Sequence, residues 1–168
     1  MKEIHVSESS LEKGAQEGMD AFLQVFVDAI LGGVGGELTG DNMQQLNADQ
    51  VTLLAYFMMR DEVMDGGFVQ LIHNGLGPFL FRNPFARMLK TWGLRDLSKL
   101  VYKAAKLYGQ HHEAIEKECS EEEFMALFEQ FPAFDDLDDD FVENEEEWTE
   151  MIARYVDENI GRFAVIDK

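Results

Sequence analysis

The stretch from Val51 to Met59 constrains the fold more than any other segment, because it is apolar on nearly every side of a helix. A helix that is apolar all round is normally buried at the centre of a protein, so other elements must pack around it. Asn47 is a favourable N-cap residue, and Gln50 occupies the capping-box position three residues later. The sequence therefore predicts a central helix that begins after Asn47.

Apolar residues recur at helical spacing in most of the remaining chain. One example is the series Met19, Phe22, Phe26 and Ile30, which ends at the glycines of residues 32–33. Similar patterns predict helices near residues 68–73, 84–92, 97–108, 120–130 and 148–159, with an acidic loop over 135–147. We therefore expect an all-α fold, with a single compact domain of roughly six to seven helices over residues 1–168.

Charge is distributed unevenly along the chain, which has a formal net charge of -19. Residues 113–168 contribute -16, whereas residues 85–112 contribute +5 and place Lys99, Lys103 and Lys106 on one helix face. Direct binding to nucleic acid or to an anionic membrane needs a basic surface, so the acidic balance excludes both. A basic protein is the expected partner, and a homodimer stays open as a way to neutralise part of the charge.

No residue pattern in the chain is typical of catalysis. The adjacent residues His111 and His112 point about 100° apart on a helix and cannot easily share a metal ion. Acidic neighbours surround Cys119, the single cysteine, whereas a reactive cysteine is activated by cationic neighbours. We therefore expect neither an enzyme nor a cofactor. A single cysteine and the absence of a membrane-length apolar run favour a cytoplasmic location.

The predicted acidic loop over residues 135–147 has an alternative interpretation as a calcium site. Asp136, Asp138, Asp140 and Glu147 fall on positions 1, 3, 5 and 12 of the EF-hand count. The sixth position, where the sharp turn needs glycine, is Phe141. Weak and non-specific cation binding is the better interpretation of this spacing.

The stretch from Glu62 to Asn74 resembles the signature of a bacterial family named after a DNA-mimic protein. That signature contains a glutamate, then Asn-Gly-Gly-Phe, a glutamine, and an asparagine four residues after the glutamine. The matching residues here are Glu62, Gly66, Gly67, Phe68, Gln70 and Asn74, while Asp65 replaces the family's asparagine. The similarity covers residues 47–107. It implies a helical fold and, less directly, a protein that imitates DNA.

The same residues also have a purely structural interpretation. Gly66 and Gly67 allow a bend where side chains would clash, and Phe68 can anchor that bend in the core. Gln70 and Asn74 can hydrogen-bond backbone groups that a helix end leaves free. We therefore expect the motif to determine the fold rather than to catalyse a reaction.

The partner-binding surface is expected in the C-terminal third. Nineteen charges spread evenly would be about fourfold more dilute than the phosphates of duplex DNA, but the charge of residues 113–168 approaches that density when gathered on about a third of the surface. The hypothesis is a protein that binds a basic DNA-binding protein, such as a transcription factor, in competition with DNA. Two alternatives are an immunity-type inhibitor of a basic toxin and a helical domain whose acidity only confers solubility. The candidate residues are Asp135, Asp136, Asp138, Asp139, Asp140, Glu143, Glu145, Glu146, Glu147 and Glu150.

Overall fold

The computed structural model describes all 168 residues and contains eight α-helices and two short strands, which confirms the all-α class. No helix combines the length and the apolar composition that crossing a membrane requires. The elements in chain order are β1 (His5–Ser7), α1 (Glu8–Glu17), α2 (Met19–Gly33), α3 (Ala48–His73), α4 (Gly77–Phe81), α5 (Phe85–Thr91), α6 (Arg95–Glu116), α7 (Glu121–Gln130), α8 (Asp135–Glu158) and β2 (Val165–Asp167).

The central helix begins where the sequence predicts. The side-chain oxygen of Asn47 accepts a hydrogen bond from the backbone N–H of Gln50 at 2.8 Å, and Gln50 Oε1 accepts one from the Asn47 N–H at 3.0 Å. This capping box fixes the start of α3. Leu53, Tyr56 and Met59 on α3 are fully buried, as the apolar composition of the stretch predicts.

Two helices were not predicted from the sequence. Helix α1 buries only Leu11 and Gly14, so its apolar spacing is too sparse to detect. Helix α4 has only five residues. The predicted bend at Gly66 and Gly67 is present, and it lies inside α3, so the two segments that flank it form one kinked helix. The structure therefore has eight α-helices where the sequence predicted roughly six to seven.

The chain divides into two compact units, and the first comprises residues 1–54 and 146–168. In this unit α1 and α2 pack against each other and are joined at Gly18, whose φ of 126° favours glycine. Strands β1 and β2 pair in parallel, with His5 opposite Val165. The buried rings of Phe26 and Phe163 meet edge to face, with centroids 6.3 Å apart.

The second unit comprises residues 55–145. Helix α6 packs against α4 and α5 in this unit, and the buried Ser98 hydroxyl donates a hydrogen bond to the Ala86 carbonyl at 2.6 Å. Phe85, Phe134 and Phe141 are fully buried and contribute large apolar side chains to its core. Helix α7 begins at a complete capping box formed by Ser120 and Glu123, as predicted.

The bend in α3 is held by a contact with α8. Gly67 has a φ of 80°, a left-handed value that favours glycine, and a Cβ at this position would collide with the Asp138 carboxylate. The next residue, Phe68, is fully buried, and its backbone N–H donates to Asp138 Oδ1 at 2.8 Å. Gly67 is therefore needed both for the bend and for the close approach of an aspartate.

Candidate functional site

Helix α8 includes the segment that was predicted to be an acidic loop. That prediction was wrong, because Asp135–Glu158 forms one continuous helix of 24 residues. The buried residues Leu137, Phe141, Trp148, Ile152 and Val156 recur at helical spacing along its whole length and form one apolar face. Burial of this face stabilises helical structure in a segment whose carboxylates repel one another.

The helical conformation also removes the basis of the calcium interpretation. An EF-hand wraps a loop around its ion, whereas Asp136, Asp138 and Asp140 are held on a continuous helix. At about 100° per residue, Asp136 and Asp138 point in nearly opposite directions. No group of three or more potential ligand side chains in the chain is arranged to hold a metal ion.

Ten exposed carboxylates lie on the side of α8 opposite its apolar face. At about 100° per residue they occupy an arc of about 140°, which we call the acidic face. Eight were predicted as partner-binding residues, and the sequence-based set missed Asp157 and Glu158, which continue the same helical spacing. The acidic face consists of Asp135, Asp136, Asp139, Asp140, Glu143, Glu146, Glu147, Glu150, Asp157 and Glu158.

The charge density of the acidic face is comparable with that of one DNA strand. Eight of its carboxylates lie between Asp135 and Glu150, a segment of about 24 Å at a rise of about 1.5 Å per residue. This gives one carboxylate for about 3 Å of helix axis, compared with one phosphate for about 3.4 Å along a single strand. Arg154 is a cation within the same arc, and it pairs with Glu150 at 3.2 Å.

Two of the ten predicted partner-binding residues do not lie on the acidic face. Asp138 is half-buried against the bend of α3, and burial raises the pKa of its carboxyl from 3.8 to about 6, with further increases from the charges of Asp135 and Asp139. The hydrogen bond from the Phe68 N–H acts in the opposite direction. Glu145 is also half-buried and pairs with Arg60 at 3.3 Å. Both side chains are engaged within the protein.

The motif residues of α3 form a hydrogen-bonded cluster around the bend. Glu62 Oε2 accepts bonds from Gln70 Nε2 at 3.1 Å and from Asn74 Nδ2 at 3.0 Å. Gln70 Nε2 also donates to Asp65 at 2.9 Å. The expected bonds from Gln70 and Asn74 to free backbone groups were therefore wrong, because the freed N–H of Phe68 binds Asp138 instead. The motif helps to hold the two halves of the kinked helix.

The basic residues of α6 do not neutralise the acidic side chains within the fold. Arg95, Lys99, Lys103 and Lys106 are all exposed, and none of them forms an ion pair in the chain. Within the acidic face of α8 only Glu150 forms an ion pair, with Arg154, so nearly all of the charge of the face stays unneutralised.

Two comparisons with known proteins match most of the chain. The family model of DMP19-like proteins matches residues 44–159, which include the bend of α3 and the whole of α8. A relative from Neisseria meningitidis serogroup B, named DNA mimic protein DMP19, is 37% identical over 130 residues. The match covers 76% of this chain and 79% of that protein. The chain therefore belongs to the DMP19-like protein family.

Proposed function

We propose that this protein is a DNA mimic that binds a basic DNA-binding protein in place of DNA, through the acidic face of α8. The observation that carries the proposal is the gathering of ten exposed carboxylates on one side of a single helix. The name of the Neisseria relative supports the same function. We place the encounter in the cytoplasm, and we propose that the protein acts by binding rather than by catalysis.

In this proposal each carboxylate occupies the place of a phosphate. Lysine and arginine side chains that normally contact the DNA backbone would pair with the acidic face, and its field would accelerate association. Binding should therefore weaken steeply as salt concentration rises. The buried stripe from Leu137 to Val156 matters because its burial stabilises the helix that carries the carboxylates before the partner arrives.

The direct test is a variant that neutralises the acidic face and leaves the inward-facing Asp138 and Glu145 intact. The α8-neutral variant carries Asp139→Asn, Asp140→Asn, Glu143→Gln, Glu146→Gln, Glu147→Gln and Glu150→Gln. The wild-type protein and this variant are immobilised and exposed to an extract of the encoding organism. We expect the wild type to retain a basic protein that duplex DNA releases, and the α8-neutral variant to retain little of it.

A matched control changes the net charge equally at other places. Its six substitutions affect exposed carboxylates outside α8 that form no ion pair: Glu12→Gln, Glu37→Gln, Asp41→Asn, Glu113→Gln, Glu118→Gln and Glu129→Gln. The control should bind like the wild type. Equal losses in both variants would contradict a dedicated face and favour a general effect of net charge. A captured protein that has no affinity for DNA would instead indicate an inhibitor of a basic toxin.

A further inference from the structure

A groove of about 370 Å³ lies beside the C-terminal half of the acidic face. Its apolar walls are formed by Ala15 at the end of α1, Met19 and Phe22 at the start of α2, and Ala153 on α8. Phe22 is half-buried and supported edge to face by Phe26, with ring centroids 5.3 Å apart. The walls are therefore apolar surface in a region that is otherwise rich in charge.

The charged side chains of the groove come from one side of α8. Glu150, Arg154 and Asp157 all line it, and all three are exposed. Arg154 places its guanidinium 3.2 Å from Glu150, whereas Asp157 forms no ion pair. The groove thus already holds one guanidinium on one carboxylate and offers a second carboxylate without a partner.

We propose that this groove receives one arginine side chain of the basic partner, an inference that rests on the proposed function. The methylene stem of the arginine would lie along Met19, Phe22 and Ala153, and its guanidinium would meet Asp157. Long cationic side chains bury their stems on apolar surface in this way while the charged group stays solvated or paired. The flexible side chain of Met19 can adapt to the stem.

Charge complementarity favours arginine over an uncharged apolar side chain. Two carboxylates and one arginine leave the rim of the groove with a negative charge, so an apolar residue would leave Asp157 without a counter-ion. A guanidinium also forms planar, two-pronged contacts with carboxylates and stacks on aromatic surface, which a lysine ammonium does less well. The groove therefore adds side-chain selectivity to the general attraction of the acidic face.

The test uses a small probe, because the partner itself is unidentified. N-acetyl-arginine methylamide is titrated into the full-length protein while the methyl signals of Met19 and Ala153 are followed by NMR. We expect saturable shifts at these methyl groups, weaker shifts with the lysine analogue, and none with the norleucine analogue, which has an apolar chain without charge. The variant Ala153→Leu fills the groove and should lose the shift of Met19. Ala114→Leu, at an exposed alanine on α6, should keep it.

These experiments test the arginine site and the proposed DNA mimicry separately. Shifts that are spread evenly along α8, or that persist in Ala153→Leu, would overturn the arginine site. Equal shifts with the norleucine analogue would do the same, because they would indicate an apolar pocket. Saturable shifts in the groove, together with unchanged capture by the α8-neutral variant, would support the arginine site and contradict DNA mimicry. If capture depends on the acidic face but the methyl signals of the groove do not shift, DNA mimicry would be supported and the arginine site would be contradicted.

Discussion

Asp138 belongs to the same acidic run as Asp139 and Asp140, yet its carboxylate faces the backbone of α3. It accepts the Phe68 N–H at 2.8 Å and closely approaches Gly67. Burial and the neighbouring carboxylates raise its pKa to about 6, so the ionised form is disfavoured in the folded protein. The residue therefore joins α8 to the bend of α3 at a cost in stability near neutral pH.

We expect Asp138→Asn to stabilise the protein at pH 7, because asparagine keeps an oxygen for the Phe68 N–H and removes the buried charge. The folded-state pKa is raised from 3.8 to about 6, so the folded protein binds more protons in this interval and wild-type stability falls as pH rises through it. The variant Asp138→Asn has no carboxyl at this position, so its stability lacks this pH dependence. The gain in unfolding free energy at pH 7 should be on the order of 1 kcal/mol after allowance for solvent screening of a half-exposed group. Urea denaturation from pH 4 to pH 7 measures the difference.

The exposed neighbour Asp139 provides the control for this experiment. Asp139→Asn removes a charge of the same sign one residue away but leaves the contact with Phe68 intact. It should reduce the pH dependence only slightly, through the weaker influence of its charge on Asp138. A variant Asp138→Asn that is less stable than the wild type at pH 7 would show that the ionised carboxylate is needed for the bend.

Helix α8 has one face whose burial stabilises it and one face whose carboxylates repel one another and destabilise it. Its buried stripe includes Phe141, Trp148 and Ile152, whereas many carboxylates of its acidic face are three or four residues apart. Like charges at this spacing destabilise a helix by about 0.2–0.5 kcal/mol per pair. The acidic face therefore makes α8 less stable than its apolar face alone would allow.

Because the carboxylates of α8 repel one another, we expect the α8-neutral variant to be more stable than the wild type. Several repulsive pairs disappear together, so the expected gain is about 1–3 kcal/mol in unfolding free energy at low salt. Calorimetry at low salt and at about 1 M salt, where exposed charges are strongly screened, measures it. The gain should shrink at high salt and should exceed that of the control variant with six substitutions outside α8. An equal gain in both variants would attribute the effect to net charge.

Several element boundaries could be predicted because their signals are local. Asn47 with Gln50 marks the start of α3, Ser120 with Glu123 marks the start of α7, and Gly93 ends α5. The N-terminal half of α8 was missed because its acidic composition suggested a loop, although Leu137 and Phe141 already continue the apolar spacing. Tertiary burial outweighed local repulsion there.

The partners of individual site residues could not be predicted in the same way. The contact between Asp138 and Phe68 joins residues 70 positions apart, and the pairing of Arg60 with Glu145 joins residues 85 positions apart. Only the folded chain shows that Asp138 and Glu145 turn inward while their acidic neighbours stay exposed. The resemblance at residues 62–74 was informative because the family model also matches this region.

At the scale of the whole molecule, a single domain would unfold cooperatively. Residues 1–54 with 146–168 and residues 55–145 form two compact units, and both α3 and α8 contribute residues to each unit. Unfolding of one unit would break helices that the other one shares. We therefore propose that the chain unfolds in one cooperative transition.

The two tryptophans test this proposal, because Trp148 belongs to the first unit and Trp92 to the second, and both are buried. Fluorescence of the single-tryptophan variants Trp92→Phe and Trp148→Phe reports each unit separately during urea denaturation. Coincident midpoints and slopes, after correction for the small stability change of each substitution, are expected. Two separated transitions would establish independently folding units.

Under the proposed function, the length of α8 limits the kind of DNA-binding protein that it can bind in place of DNA. Its 24 residues span about 36 Å, close to the distance of one turn of B-DNA, which separates the two half-sites read by dimeric helix-turn-helix proteins. A phosphate strand winds around the duplex over that distance, whereas the carboxylates of α8 stay on one side. The helix is therefore suited to proteins that approach DNA from a single side. Proteins that encircle the duplex would find only part of their expected contacts.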